Sequence, residues 1–178
     1  MKTVGSEQRS WVRRAMSSVG NALLDPTVVF SFDRTGFRRH QRQFCPTDLD
    51  VDLHGRVCVV TGANSGIGYA TSLALAHRGA EVWLFCRNPQ RGTRARDAIR
   101  EASGNDKVFL QILDVSDLDA IEAVEWPTAL DRIDVLVHNA GVLLTEPARS
   151  AQGLEQTLAT HIVGPLALTA QLLSRLQS

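Results

Sequence analysis

At 178 residues, with 44% hydrophobic and 21% charged side chains, the chain has the size and composition of one soluble globular domain, and a second folded domain is not expected. Its formal net charge is zero, yet residues 1–44 hold eight Lys/Arg against three Asp/Glu and 45–178 hold eleven against sixteen, so a basic extension precedes an acidic body and can lie against it or an anionic partner. Three cysteines without ligand or disulfide spacing, and no apolar run near ~18 residues, argue against a disulfide scaffold, a metal module and a membrane span, and make a reducing cytoplasm the default location.

Residues 1–54 read as an N-terminal basic extension. Trp11, Ala15, Val19 and Leu23 recur every fourth residue, which predicts a short amphipathic helix with Arg13 and Arg14 on its polar side. Three readings of it stand. It packs on the domain, it makes weak peripheral contact with a membrane surface through residues 11–24, or it is a transit segment rich in Arg and Ser that includes Glu7. Arg34, Arg38, Arg39 and Arg42 then cluster near Phe37 and Phe44, and the run reads as a solvated face and not as a nucleic-acid site.

From Arg56 short apolar runs alternate with helical patterns. Strands are predicted near 57–61, 82–86, 108–113 and 134–138, and helices near 67–78, 90–102 and 117–125, with a longer helical stretch from about 152 to 176. The strands lack strict alternation, as strands covered on both faces do, so the pattern implies βαβ units in a parallel, right-handed, doubly wound α/β sheet over residues 55–178. Gly79 closes the first helix, Asn88-Pro89 opens the second, and Pro165, which lacks the N–H that would reach residue 161, predicts a kink.

The chemistry concentrates in Val57-Cys58-Val59-Val60-Thr61-Gly62-Ala63-Asn64-Ser65-Gly66-Ile67-Gly68. Gly62 turns the chain off the strand, Gly66 lets backbone approach a phosphate, and Gly68 lets helix and strand pack closely, so the helix N-terminus faces an anion. Three glycines alone fit a plain strand-to-helix corner equally well. A companion lies downstream, Asp134-Val135-Leu136-Val137-His138-Asn139-Ala140-Gly141. Together the two stretches resemble the short-chain dehydrogenase/reductase (SDR) family, a Rossmann-type fold of NAD(P)-binding oxidoreductases. In that family the first motif, here Gly62, Asn64, Ser65, Gly66, Ile67 and Gly68, binds the cofactor pyrophosphate, and the Asn of Asn139-Ala140-Gly141 ties the central strands together. Phe44-Cys45-Pro46-Thr47-Asp48-Leu49 before Gly55-Arg56-Val57 is most similar to the dehydrogenase/reductase SDR family member 12 group. The resemblance covers about 45–178, the N-terminal half of the SDR domain, so the sheet is expected to be incomplete on its C-terminal side.

An acidic residue ending the second strand would bond the adenosine ribose and repel a 2′-phosphate. Here the position reads Cys86-Arg87-Asn88, with no Asp or Glu between Val82 and Arg96. Arg87, with Arg91 to add to it, offers a charge-assisted contact to phosphate, or else both are simply surface. The family resemblance supports NADP(H) as the preferred cofactor, with NAD(H) admitted. Asp114-Val115 ends the third strand. The resemblance implies that Asp114 accepts from the adenine amino group; by itself it would serve as well to cap the helix beginning at Asp117.

SDR catalysis uses a Ser and a Tyr four residues before a Lys. This sequence has one tyrosine, Tyr69, followed four residues on by Leu73, and its only lysines are Lys2 and Lys107. The pair is absent. His161 stands where many family members carry an Asn that holds a water of the proton relay; it is a weak candidate for that task, against a plain helical His bonded to backbone or solvent. The reading is the cofactor-binding half of an NADP(H)-dependent oxidoreductase acting on a small carbonyl or alcohol. The rival is a non-catalytic truncated product or nucleotide-sensing module. The edge beside 134–138 is expected to be bare and Leu158, Ile162, Leu166, Leu172 and Leu173 partly exposed, which favours association into oligomers.

Overall fold

The computed structural model describes residues 34–45 and 47–176. The chain divides into two units, residues 1–51 and 52–178. In the first, helix α1 (Arg34–Gln41) is followed by tight turns, and Phe37 meets Phe44 edge to face at 6.3 Å between ring centroids. The amphipathic pattern at 11–24 lies outside the described residues.

The second unit is a four-stranded parallel sheet in the order β3-β2-β1-β4. Its elements are β1 (Val57–Thr61), α2 (Gly66–His77), β2 (Glu81–Cys86), α3 (Pro89–Ser103), β3 (Val108–Ile112), α4 (Leu118–Ala123) and β4 (Val135–Val137). A helical segment then runs from Gln156 to Leu172. Register sets Val59 opposite both Trp83 and Leu136, and Trp83 opposite Phe109.

The apolar runs do not alternate because both faces of the sheet are covered. Cys58, Val60, Val82, Leu84 and Cys86 pack beneath α2 and α3 with Ala76, Ala95 and Ile99. Val59, Trp83 and Phe85 point the other way, against Ile121, Leu130, Leu168 and Leu172. This is the doubly wound arrangement, and its strand order reverses between β1 and β4, opening a crevice at their carboxyl ends.

The connections follow local chemistry. Asn88 caps α3 by accepting from the Arg91 N–H at 2.9 Å, Pro89 fills the first turn, and Gly104 ends the helix at φ 67°. Asn105, in the turn after α3, donates from Nδ2 to the carbonyls of Ala76 and Ala80 at 3.0 and 2.8 Å.

The stretch from 152 to 176 departs from one kinked helix. It comprises α5 (Gln156–Leu158), a π turn (Ala159–Val163) and α6 (Gly164–Leu172), after a loop closed by the Arg149–Glu155 bridge. The Gly164 N–H reaches back five residues to the Ala159 carbonyl, just ahead of Pro165, which can donate nothing. A side chain at Gly164 would run into the Val115 carbonyl, so the wide turn sits where the helix meets the loop after β3. Leu158, Ile162, Leu166 and Leu173 are exposed, but Leu172 is buried beside Leu168. The strand edge at Val135–Val137 is unpaired on its outer side among the described residues, with one parallel bridge, Ile133 to Leu176, at its foot.

Asp134 clamps the start of β4 to the start of β1. Its Oδ2 accepts from the Val57 N–H at 2.9 Å, and its Oδ1 accepts from Arg56 at 2.7 Å and from Arg132. The backbone bond to Val57, and then Arg56, hold its carboxyl down at about 2. A depressed carboxylate stabilises the fold fully above its unfolded pKa of ~3.9 and loses that contribution as pH falls through about 2. With the arginines half exposed, about 2 kcal/mol is at stake. Asp134→Asn should lower the thermal midpoint near neutral pH by roughly 5–10 °C and flatten the acid limb between about pH 4 and 2. An unchanged midpoint and acid limb in scanning calorimetry would remove the clamp from this account.

Candidate functional site

A cleft of about 430 Å³ opens at the carboxyl ends of the strands, on the line where their order reverses. Gly62, Asn64, Ser65 and Ile67 form one wall, Arg87 the end of β2, Asp114 and Val115 the end of β3, and Asn139, Ala140 and Gly141 the turn after β4. Eleven of the residues singled out in the sequence, Arg91 among them, therefore meet in one place. Gly66 and Gly68 do not line it.

Gly68 works from beneath. A Cβ there would lie 2.6 Å from the Gly62 carbonyl oxygen and would collide with the Asn139 amide, so only glycine allows α2 to close on the turn. Gly62 is held by a bond from its N–H to the Phe85 carbonyl at 2.8 Å, at φ 65°, with a Cβ excluded by Ala140 Cα at 2.8 Å. Gly66 stands at φ 56° with nothing within 4 Å of a Cβ position. The α2 N-terminus carries no side-chain cap from Ser65, which leaves its first N–H groups for an anion.

Asn139 and Thr61 knit the turns together. Asn139 Nδ2 donates to the Thr61 carbonyl at 3.0 Å and to that of Gly62 at 3.3 Å. The N–H groups of Asn139 and Ala140 both donate to Thr61 Oγ1 at 3.0 Å. Part-buried backbone groups of the two turns are thereby paired with each other, and their backbone is fixed where it lines the cleft.

Asp114 does not cap the following helix. Asp117 caps α4, accepting from the Ala120 N–H at 3.2 Å and from Gln152 at 2.9 Å, and both bonds lower its pKa, Gln152 most. Asp114 instead turns back on itself, its Oδ1 accepting from the Ser116 N–H and hydroxyl at 2.9 and 2.8 Å. Its Oδ2 stands 3.8 Å from Arg87, a loose pair that a ligand group can enter. Arg87 is exposed, and Arg91 from the first turn of α3 lines the same cleft.

Sequence reasoning did not place Phe85, Leu113, Val142 or Thr160 in this lining. The first two stand at or next to the ends of strands already predicted, so strand ends were the available signal. Thr160 arrives by the π turn, which the apolar period of the helix does not announce. His161 lies beside it but turns to the loop. Its Nε2 is 3.0 Å from the Val142 N–H, which donates to it, and its ring packs against Gly141. His138, at the end of β4, has Nε2 2.9 Å from Thr169 Oγ1. That hydroxyl donates to the Pro165 carbonyl at 2.7 Å, so it accepts the imidazole N–H, and burial lowers the His138 pKa. Burial also pushes the thiols of Cys58 and Cys86 up to about 11, away from thiolate chemistry.

The cleft fits a dinucleotide: an uncapped helix N-terminus at glycine backbone, a carboxylate and an arginine at adjacent strand ends, and a glycine turn packed so closely on Ala140 that Gly62 admits no Cβ. Comparison with known proteins agrees. Residues 56–178 match the family model of the short chain dehydrogenases. The chain is 38% identical over 147 residues to human dehydrogenase/reductase SDR family member 12, spanning 82% of this chain and 46% of that protein. It is 41% identical over 130 residues to bovine retinol dehydrogenase 12, spanning 72% and 41%. Among solved structures, an uncharacterized protein from Mycobacterium paratuberculosis superposes with a TM-score of 0.61 at 33% identity, over 72% of this chain and 46% of that one. A metagenomic short-chain oxidoreductase in complex with NADP gives 0.56 at 32%, over 67% and 55%. The chain thus spans about half the length of the relatives it matches. The match over most of its residues, on a sheet and turn of this geometry, means that the chain belongs to the short-chain dehydrogenase family.

Proposed function

We propose that this chain is the NADP(H)-holding half of an oxidoreductase that exchanges hydride with a small carbonyl or alcohol, in the cytoplasm. The observation that carries the cofactor choice is the end of β2, where Arg87 and Arg91 flank the cleft and no carboxylate stands on that strand end. Neighbours solved with NADPH and with NADP support it. In this reading the N-terminus of α2 and the Gly62–Gly66 backbone hold the pyrophosphate, Arg87 the 2′-phosphate, and Asp114 Oδ2 the adenine amino group. Asn139 keeps the Ala140–Gly141 backbone in line behind the bound cofactor. The cofactor, when bound, supplies the hydride. Retinol, the alcohol in the names of some relatives, is apolar, which supports an apolar alcohol or ketone as substrate.

One observation favours a second reading, a nucleotide-binding module without turnover. Within these 178 residues no Tyr-x-x-x-Lys occurs, and the His161 ring is engaged by Val142. Both readings share the cofactor site. Arg87→Ala should weaken NADPH by roughly ten- to a hundredfold, the worth of a charge-assisted contact of about 1.5–3 kcal/mol, and leave NADH nearly unchanged. Calorimetric titrations that find both cofactors weakened equally would move the 2′-phosphate away from Arg87.

A further inference from the structure

The first unit carries a patch that the cofactor site does not explain. Arg34, Arg38 and Arg42 follow one another at four-residue intervals along α1 and just past its end, all exposed, while Gly36 is buried on the opposite side of the helix. Among the described residues no carboxylate pairs with any of the three. No acidic residue occurs from Arg34 to Thr47. A shallow hollow lined by Arg38, Gln41 and Arg42 sits on this row. Beside the row stand two phenylalanines that water should disfavour, Phe37 at 55% and Phe44 at 57% exposure.

We propose that α1 and the turn after it dock the protein on the surface of an anionic lipid bilayer. The charge is of one sign and sits on one side, which suits the negative potential of such a surface. Guanidinium groups bond phosphate oxygens in a fork, and the hollow between Arg38 and Arg42 is open to a lipid headgroup. The two rings supply the apolar part that enters the boundary between headgroups and acyl chains. Their packing argues against a nucleic acid as the occupant. The rings meet edge to face at an interplanar angle of 70°, so they do not present the parallel open faces on which successive bases stack. A row of three arginines also offers few phosphate contacts to a duplex.

The test is sedimentation of the full chain with vesicles of phosphatidylcholine alone and of phosphatidylcholine with phosphatidylserine, at low and high salt. Binding is expected to the anionic vesicles only, and to fall with salt. The triple variant Arg34→Gln, Arg38→Gln, Arg42→Gln should lose on the order of a hundredfold in partition, and the corresponding Lys variant should keep most of it. Phe37→Ser with Phe44→Ser should lose about tenfold while keeping the salt dependence. Residues 11–24 are untouched in every variant, so full retention in the Gln variant would assign binding to another segment and overturn the proposal. Equal partition onto uncharged vesicles would overturn it too, as would capture of duplex DNA by a chain that ignores both vesicles.

Discussion

Incubated with NADPH and a range of aldehydes and ketones, the 178-residue chain is expected to oxidise no cofactor. Hydride delivery to a carbonyl carbon leaves an alkoxide that needs a proton, and a positioned acid is worth about 10²–10⁴ in rate. The groups at hand near the cleft are poorly suited. Tyr69 belongs to α2, and no lysine follows it at four residues. His138 bonds Thr169 Oγ1 through Nε2, and desolvation lowers its pKa, which disfavours the charged acid form. His161 Nε2 is engaged by the Val142 backbone, 3.0 Å from its nitrogen and 3.1 Å from its carbonyl oxygen. NADPH binding is nonetheless expected, because the glycine turn, Arg87 and Asp114 all face one cleft. Binding without turnover, by a preparation whose mass matches the chain, is the expected pair of results. Turnover by that preparation would assign the proton to a group set aside above, and His161→Ala would be the first variant to examine.

Gly68→Val and Gly66→Val should fail in different ways. At Gly68 the new side chain meets the Gly62 carbonyl and the Asn139 amide, both fixed by hydrogen bonds that hold the two turns together. Neither can move without breaking that network, so a loss of about 3 kcal/mol or more is expected, with a lower thermal midpoint even without ligand. At Gly66 the space is open, and the cost in the free protein is the left-handed backbone, about 1–2 kcal/mol for a side-chain-bearing residue. There the larger effect is on the cofactor, since the added methyls occupy the region assigned to the pyrophosphate, and NADPH and NADH should be weakened alike. Thermal melts and titrations of both variants separate the two. A Gly68→Val protein as stable as the parent would break the packing argument, and a Gly66→Val protein that binds normally would move the pyrophosphate elsewhere.

Much of this protein was legible in its sequence because the signals are local. The four apolar runs became the four strands within a residue or two, and β1 and β2, buried on both faces, declare themselves by composition alone. The glycine turn was readable because positive φ at Gly62 and Gly66 is a property of those residues. The strand ends that carry Arg87, Asp114 and Asn139 followed from counting along βα units, and a parallel sheet brings such ends together on one side.

What the sequence left undecided depends on partners far along the chain. Asp134 looked like the first residue of a strand, and only the sheet brings it to Arg56 and the Val57 N–H, 78 and 77 residues away. A capping role stayed open to Asp114 until Asp117 was seen to cap α4 and Ser116 to hold Asp114. The helical pattern from 152 to 176 was real, but its period gave no sign of the π turn. That turn arises because Gly164 must close on the Val115 carbonyl while Pro165 can donate no hydrogen bond. Leu172 shows the same limit: periodicity identified it as apolar, and only the packing of α6 against Ile121 and Leu130 decided that it is buried while Leu173 faces out. Local patterns determine which residues prefer which backbone, whereas contacts between distant segments decide which of those preferences are satisfied together.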